Sequence, residues 1–118
     1  MLKKLASFGV AATLSTPAIA EGFERIEDLD RFKAVVEDRA LSRLGIQVKV
    51  TKNGDIVGRA FGQDVSGDWE WRQGYFCRSL FWGERDLGDN CQTVEVNGRN
   101  VRFTSDQGAG DSAILRLQ

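Results

Sequence analysis

The side chains best suited to bind a ligand lie together between residues 69 and 91. This stretch holds all three tryptophans, the only tyrosine and both cysteines of the chain. Strand alternation sets Arg78 among Phe76, Leu80 and Trp82, where its guanidinium could hold a carboxylate bidentately. Neighbouring aromatic faces could then bury an apolar or ring-shaped group. The candidate ligand-binding residues are Trp69, Trp71, Tyr75, Arg78 and Trp82.

The same residues also have structural interpretations. Two tryptophans on one face of a strand are common in the core of a small barrel. Arg78 could instead form a buried ion pair with Glu84 or Asp106, or a β-bulge could turn it outward. The sequence leaves these alternatives open.

Cys77 and Cys91, the only cysteines, are predicted to form a disulfide. Their spacing is not that of a CxxC motif, and two thiolates without histidine make a poor zinc site. In an oxidising compartment a bridge of this span stabilises a small domain by about 3 kcal/mol. We therefore predict a structural disulfide and no metal site.

The chain contains no histidine, which excludes Ser-His-Asp and Cys-His catalysis and a histidine general base. Asp68, Glu70 and Glu84 could supply a carboxylate pair, but alternation turns the first two away from the tryptophans, as on a solvated face. Residues 108–113 match the string G-x-G-x-x-A, yet strand alternation follows where a nucleotide-binding helix is required. No catalytic residue and no cofactor are predicted.

Residues 1–20 have the three regions of a secretory signal peptide. Lys3 and Lys4 precede an apolar stretch at residues 5–15, and Ala18-Ile19-Ala20 is a cleavage site. Residues 21–118 would then form a single β-barrel-like domain in the periplasm or outside the cell. With 14 basic and 17 acidic residues its net charge is −3, which favours neither nucleic acid nor an anionic membrane as partner. No second long apolar run follows, so no membrane insertion after cleavage is expected.

The remaining pattern is one helix followed by short strands. Asp28 is a plausible N-cap for a helix at about residues 29–38, with Phe32, Val35 and Val36 on its apolar face. From residue 46 the apolar period is two, and Asn53-Gly54 and Asn97-Gly98 predict hairpin turns. Residues 83–90 are interpreted as a charged loop. This pattern predicts an all-β fold, a small up-and-down antiparallel β-barrel of about 7–8 strands with its helix at one end; a β-sandwich is the alternative.

Several segments resemble a family of short exported alphaproteobacterial proteins. They are Gly74-Tyr75-Phe76-Cys77-Arg78, Asn90-Cys91-Gln92 and Arg102 to Asp106, with Gly58 to Gly62 and Trp69-Glu70-Trp71 in support. Members are uncharacterised or labelled dihydrodipicolinate reductase, which implies an NAD(P)H enzyme. This chain is too short for that enzyme's two domains and has no histidine for its catalytic motif, so no catalytic residue is carried over.

In outline the predicted meander, helix and disulfide are similar to small lipocalin-like periplasmic modules. That likeness implies a non-enzymatic binding or interaction module of the cell envelope, with an unknown small molecule or an envelope protein as partner. Two alternatives stay open: the reductase implied by the label, and an inhibitor of a secreted enzyme. Fold alone does not choose between them.

Overall fold

A computed structural model describes residues 22–118, which form a closed antiparallel β-barrel of eight strands with one additional strand and one α-helix. The predicted signal peptide, residues 1–20, lies outside the described residues. The strands are β1 (Glu24–Ile26), β2 (Leu41–Arg43), β3 (Ile46–Val50), β4 (Asp55–Ala60), β5 (Gln63–Arg72), β6 (Tyr75–Trp82), β7 (Arg85–Asn97), β8 (Asn100–Thr104) and β9 (Ser112–Leu117). The helix is α1 (Leu29–Val36). The predicted barrel is confirmed, and the alternative sandwich is not observed.

The barrel strands β2 to β9 pair in chain order, as the meander prediction requires. The circle closes between β9 and β2, where only Leu41 faces Leu117 and Ser42 faces Arg116. Strand β7 is long enough to pair with β6 through its first half and with β1 through its second. The short β1 thus continues the line of β6 along β7.

Helix α1 covers one end of the barrel. Asp28 caps it, because its side chain accepts a hydrogen bond from the Arg31 N–H at 3.0 Å, as predicted. Phe32 is fully buried and packs against the rings of Trp69, Trp71 and Phe76. These contacts place the helix at the end where β5 turns into β6, and we call this the helix end.

Besides strands β1 and β2, which were not predicted, the structure differs from the sequence predictions at two places. The helix ends at Val36 rather than at about Asp38, which has a positive φ of 55° that a helix cannot continue through. Residues 83–90 are not a loop, since β7 already begins at Arg85. Its pairing with β6 shifts register at Leu80 and Phe81, a bulge that hides the strand's alternation.

Two inward-facing glycines let the strands bend closely past one another. A Cβ on Gly58 would overlap the backbone of Gln47 and Val48 on β3, and one on Gly67 would overlap the Ser79 carbonyl on β6. Glycine at position 58 is therefore required by backbone contact. Glycine is the residue that tolerates such close approach.

Gly67→Ala is expected to lower the free energy of unfolding by about 1–3 kcal/mol, because β5 must move away from β6 to admit the methyl group. Urea denaturation measures this loss. Ser66→Ala, on the exposed face one residue earlier, is the matched control and should be close to neutral. Equal stability of the two variants would show that no tight contact exists at Gly67.

Candidate ligand-binding cavity

The barrel encloses an apolar cavity of about 450 Å³. This volume lies in the range of about 300–1,000 Å³ typical of small-molecule sites. Its floor is built by residues near the helix end, including Phe76 and Phe103, and its walls rise to Phe61 and Leu87 at the opposite end. We call that opposite end the mouth.

The cavity exists because large side chains are unevenly distributed along the barrel. At the helix end, the rings of Phe32, Trp69, Phe76 and Phe103 form a continuous packed series with centroids 5.2–5.7 Å apart. Many of the other inward positions carry smaller side chains, which leave the centre unfilled. These lining residues are Ile46, Val48, Ala60, Leu80, Ala113 and Leu115.

Two arginines line the cavity, Arg43, which is exposed at the mouth, and Arg78, which lies deeper in the wall. Arg78 lies on β6 between Phe76 at the floor and Leu80 and Trp82 toward the mouth, and its side chain is half-buried. One guanidinium nitrogen, Nη1, donates a hydrogen bond to the Gly88 carbonyl at 2.9 Å. Within residues 22–118 no ion pair of Arg78 is recorded, including with Glu84 or Asp106. Most of its five donors remain available to a ligand.

Burial has the largest effect on the pKa of this arginine. Desolvation lowers the pKa of the Arg78 guanidinium below its ordinary value, and the negative charge of Asp89 raises it in part. An arginine nevertheless stays charged at physiological pH. A positive charge held in a mostly apolar cavity favours an anionic partner there.

A second polar group faces the cavity beside Arg78. Gln92, on β7, lines the wall and donates from Nε2 to the Ser105 hydroxyl at 3.2 Å. Two hydrogen bonds of 2.8 Å between Asn90 on β7 and Asp106 hold the segment that follows β8 against β7, close to Gln92. Below the exposed Arg43 at the mouth, Arg78 and Gln92 therefore present convergent polar atoms in mostly apolar walls, the usual composition of a ligand site.

The five candidate residues named from the sequence lie in three places. Arg78 and Trp82 line the cavity, and the Trp82 indole N–H donates to the Ala60 carbonyl at 2.7 Å. Trp69 and Trp71 belong to the packing beneath α1, where their indole N–H groups bond to the carbonyls of residues 51 and 27. Tyr75 lies under the Arg25 guanidinium, 5.2 Å from its ring, on the outside of the barrel.

The acidic residues weighed for catalysis are also separated. Asp68 accepts a hydrogen bond from Ser79, and Glu70 pairs with Arg72 at 2.8 Å, both on the outer face of β5. Glu84 lies in the turn between β6 and β7, and Asp106, considered above only as an ion-pair partner of Arg78, is hydrogen-bonded to Asn90. The described part of the chain holds no cluster of three metal-ligand side chains.

The predicted disulfide is confirmed, since Cys77 and Cys91 face each other on β6 and β7 and are bonded. It lies on the outer side of the wall that carries Arg78. The string at residues 108–113 runs from a 3₁₀ turn into β9 and is followed by strand.

Several lining residues were not singled out from the sequence. Gln92, Val48 and Leu115 alternate in the same way on their own strands and could have been assigned to the inner face by parity. Phe61 and Leu87 carry no such signal, because one lies in a turn and the other in a bulge.

Across residues 22–118, no helix has the length and apolar character needed to cross a membrane. Comparison with protein families, curated proteins and solved structures finds no match for this chain.

Proposed function

We propose that this protein is a non-enzymatic binding module of the cell envelope that holds an apolar or ring-shaped anion inside its barrel. The anion's carboxylate meets Arg78, and its apolar part fills the cavity between the floor and the mouth. The observation that carries this proposal is one half-buried arginine, with a single internal hydrogen bond, in an apolar cavity of about 450 Å³.

Two features support this function. Removing an apolar group from water contributes about 25 cal/mol per Å² of buried surface, so an apolar cavity of this size favours ligands with a substantial hydrocarbon part. A hydrogen bond to a charged group adds about 1.5–3 kcal/mol and selects for the anion. A placement in the periplasm or outside the cell is supported by the disulfide, which persists in oxidising compartments.

Decanoate and 2-naphthoate are suitable probes, because they share a carboxylate and differ in an aliphatic chain or a ring. Isothermal titration calorimetry should detect binding of at least one of them to the wild-type protein. Arg78→Ala is expected to weaken that binding by about 10- to 100-fold, through loss of the charged hydrogen bonds. Arg78→Lys should keep part of the affinity, since it retains the charge and loses the planar fork.

Two further variants separate the cavity from other causes. Arg116→Ala removes the same charge from the exposed outer face of β9 and should bind like the wild type. Ala113→Phe places a ring in the cavity and should abolish binding. If Arg78→Ala and Ala113→Phe both bind the probes as the wild type does, the barrel is not the site.

A further inference from the structure

One side of the barrel mouth carries exposed apolar side chains, while the segment between β8 and β9 on the other side is polar. Leu44, in the turn from β2 to β3, is 94% exposed, and Phe61, in the turn from β4 to β5, is 69% exposed. Leu87, at the bulge of β7, is 47% exposed. These three residues are called the apolar rim. Phe61 and Leu87 also line the cavity, so the rim is continuous with its interior.

The rim is one connected surface. The Phe61 N–H donates to the Gly45 carbonyl at 2.8 Å, which joins the first turn to the second. The Gly83 N–H donates to the Asp64 carbonyl at 2.7 Å, which joins the second turn to the one before β7. The first two turns and the bulge of β7 therefore present Leu44, Phe61 and Leu87 at the same end of the barrel.

The two ends of the barrel differ in their turn chemistry. The turns at the helix end carry Asn53-Gly54, Gln73-Gly74 and Asn97-Gly98, which are polar and suited to hairpins. The corresponding turns at the mouth place Leu44 and Phe61 in solvent. Since hairpin geometry does not demand apolar residues, the difference points to a contact made by the mouth.

Phe61 is the most informative member of the rim. Its φ is +50°, in the left-handed region where a bulky side chain is a true outlier, and Gly62 follows at +84°. The comparable position at the helix end is Gln73, at +53°. Phenylalanine is disfavoured in this left-handed backbone conformation, and the Phe61 side chain is mostly exposed. Burial in the barrel therefore does not explain why phenylalanine occupies the position. Residues held against their local preference concentrate at functional sites.

The charges around these turns balance. Arg43, Arg59 and Arg85 stand against Asp64, Glu84 and Asp86, and Arg59 pairs with Asp64 at 2.6 Å. A contact made here would depend on apolar burial rather than on charge attraction. A lipid bilayer offers an apolar phase to all three turns and is where amphiphilic anions of the proposed ligand class dissolve.

We propose that the apolar rim docks on a lipid bilayer, so that the ligand passes between membrane and cavity without crossing water. This inference rests on the proposed function for its ligand. Docking is peripheral: Leu44, Phe61 and Leu87 enter the outer part of the bilayer while the barrel stays in water. Binding should not increase when anionic lipid replaces zwitterionic lipid, because the three turns carry no net charge and the segment between β8 and β9 at the same end adds Asp106 and Asp111.

Flotation with phosphatidylcholine vesicles tests the docking directly. The wild-type protein should float with the vesicles, and the double variant Leu44→Ser/Phe61→Asn should bind about 100-fold more weakly, through loss of two large apolar contacts. The matched control is Val57→Ser/Ile114→Ser, which removes two apolar side chains that are 47% and 44% exposed on the outer wall. It should bind vesicles like the wild type.

Phe61→Asn alone distinguishes docking from a structural role. Asparagine suits a left-handed turn position, so this variant should be at least as resistant to urea as the wild type while binding vesicles more weakly. Wild-type protein that does not float, or control and rim variants that lose binding equally, would overturn the proposal. A wild-type dimer that the rim substitutions convert to monomer would overturn it in favour of a second copy as the partner.

Calorimetry with decanoate in solution separates this inference from the proposed function. The single variant Leu44→Ser should still bind decanoate, since Leu44 does not line the cavity and Arg78 and the walls are unchanged. If decanoate binds and vesicles do not, the cavity function stands and the docking fails. If vesicles bind through the rim and neither decanoate nor 2-naphthoate binds, the rim is a membrane contact without the proposed ligand, which overturns the transfer role.

Discussion

Phe32→Ala is expected to lower the free energy of unfolding by about 3–5 kcal/mol, the range for removing a large buried aromatic side chain. Phe32 has 0% exposure, and its ring centroid lies 4.9 Å from Trp71, 5.2 Å from Phe76 and 5.3 Å from Trp69. Because a domain of this size is stable by only about 5–15 kcal/mol, the variant should be near its folding limit. Urea denaturation followed by tryptophan fluorescence measures the change.

The control for this prediction is Phe81→Ala. Phe81 lies on the exposed face of β6 and is 38% exposed, so the same truncation there should cost much less. Loss of Phe32 should also loosen the attachment of α1, because Phe32 and Val36 are the buried residues of the helix. If Phe32→Ala and Phe81→Ala lowered the free energy of unfolding equally, the helix would not be a structural part of the barrel.

The double variant Cys77→Ala/Cys91→Ala is expected to have a free energy of unfolding lower by about 3 kcal/mol. Without the bridge the denatured chain gains conformational entropy, which favours unfolding. For a domain of this length the lower stability corresponds to a fall in Tm of about 12–24 °C. The loss should come from the unfolded state, because seven residue pairs already hold β6 to β7. Alanine suits the site, since Cys77 is buried and a polar replacement would add a cost of its own.

Reduction provides the control. Dithiothreitol should bring the wild-type Tm to that of the double variant and should leave the double variant unchanged. Dithiothreitol lowering both melting temperatures equally would show that the effect does not come from this disulfide. A much smaller loss in the variant would mean that the β6–β7 hairpin persists in the denatured chain.

Much of the barrel follows from local patterns. Asn53-Gly54 and Asn97-Gly98 mark two hairpin turns, which the structure places between β3 and β4 and between β7 and β8. Alternation puts Arg78 on the inner face, and a slip of one residue would have moved it outside. The first half of β7 was missed because its charged residues and Gly88 resemble a loop. Strand β2 was missed because three residues are too few to show a period.

The cavity could not be predicted in the same way. Each lining side chain obeys the alternation, but the empty volume depends on which strand positions meet at the same height in the barrel. Trp69 and Trp71 appear equivalent to Trp82 in the sequence, yet the register places the first two beneath α1 and the third near the mouth. The left-handed conformation of Phe61 also has no local signal, since asparagine or glycine is expected there.

The seam between β2 and β9 has a consequence for how the molecule is made. Neighbouring strands from β2 to β9 can assemble one hairpin after another, but the seam joins Ser42 to Gln118, which are 76 positions apart. Bringing such distant segments together is a slow and entropically costly step. Until β9 pairs with β2, the sheet is open and both of its edge strands are unpaired. During that interval the free edges can pair with strands of other chains.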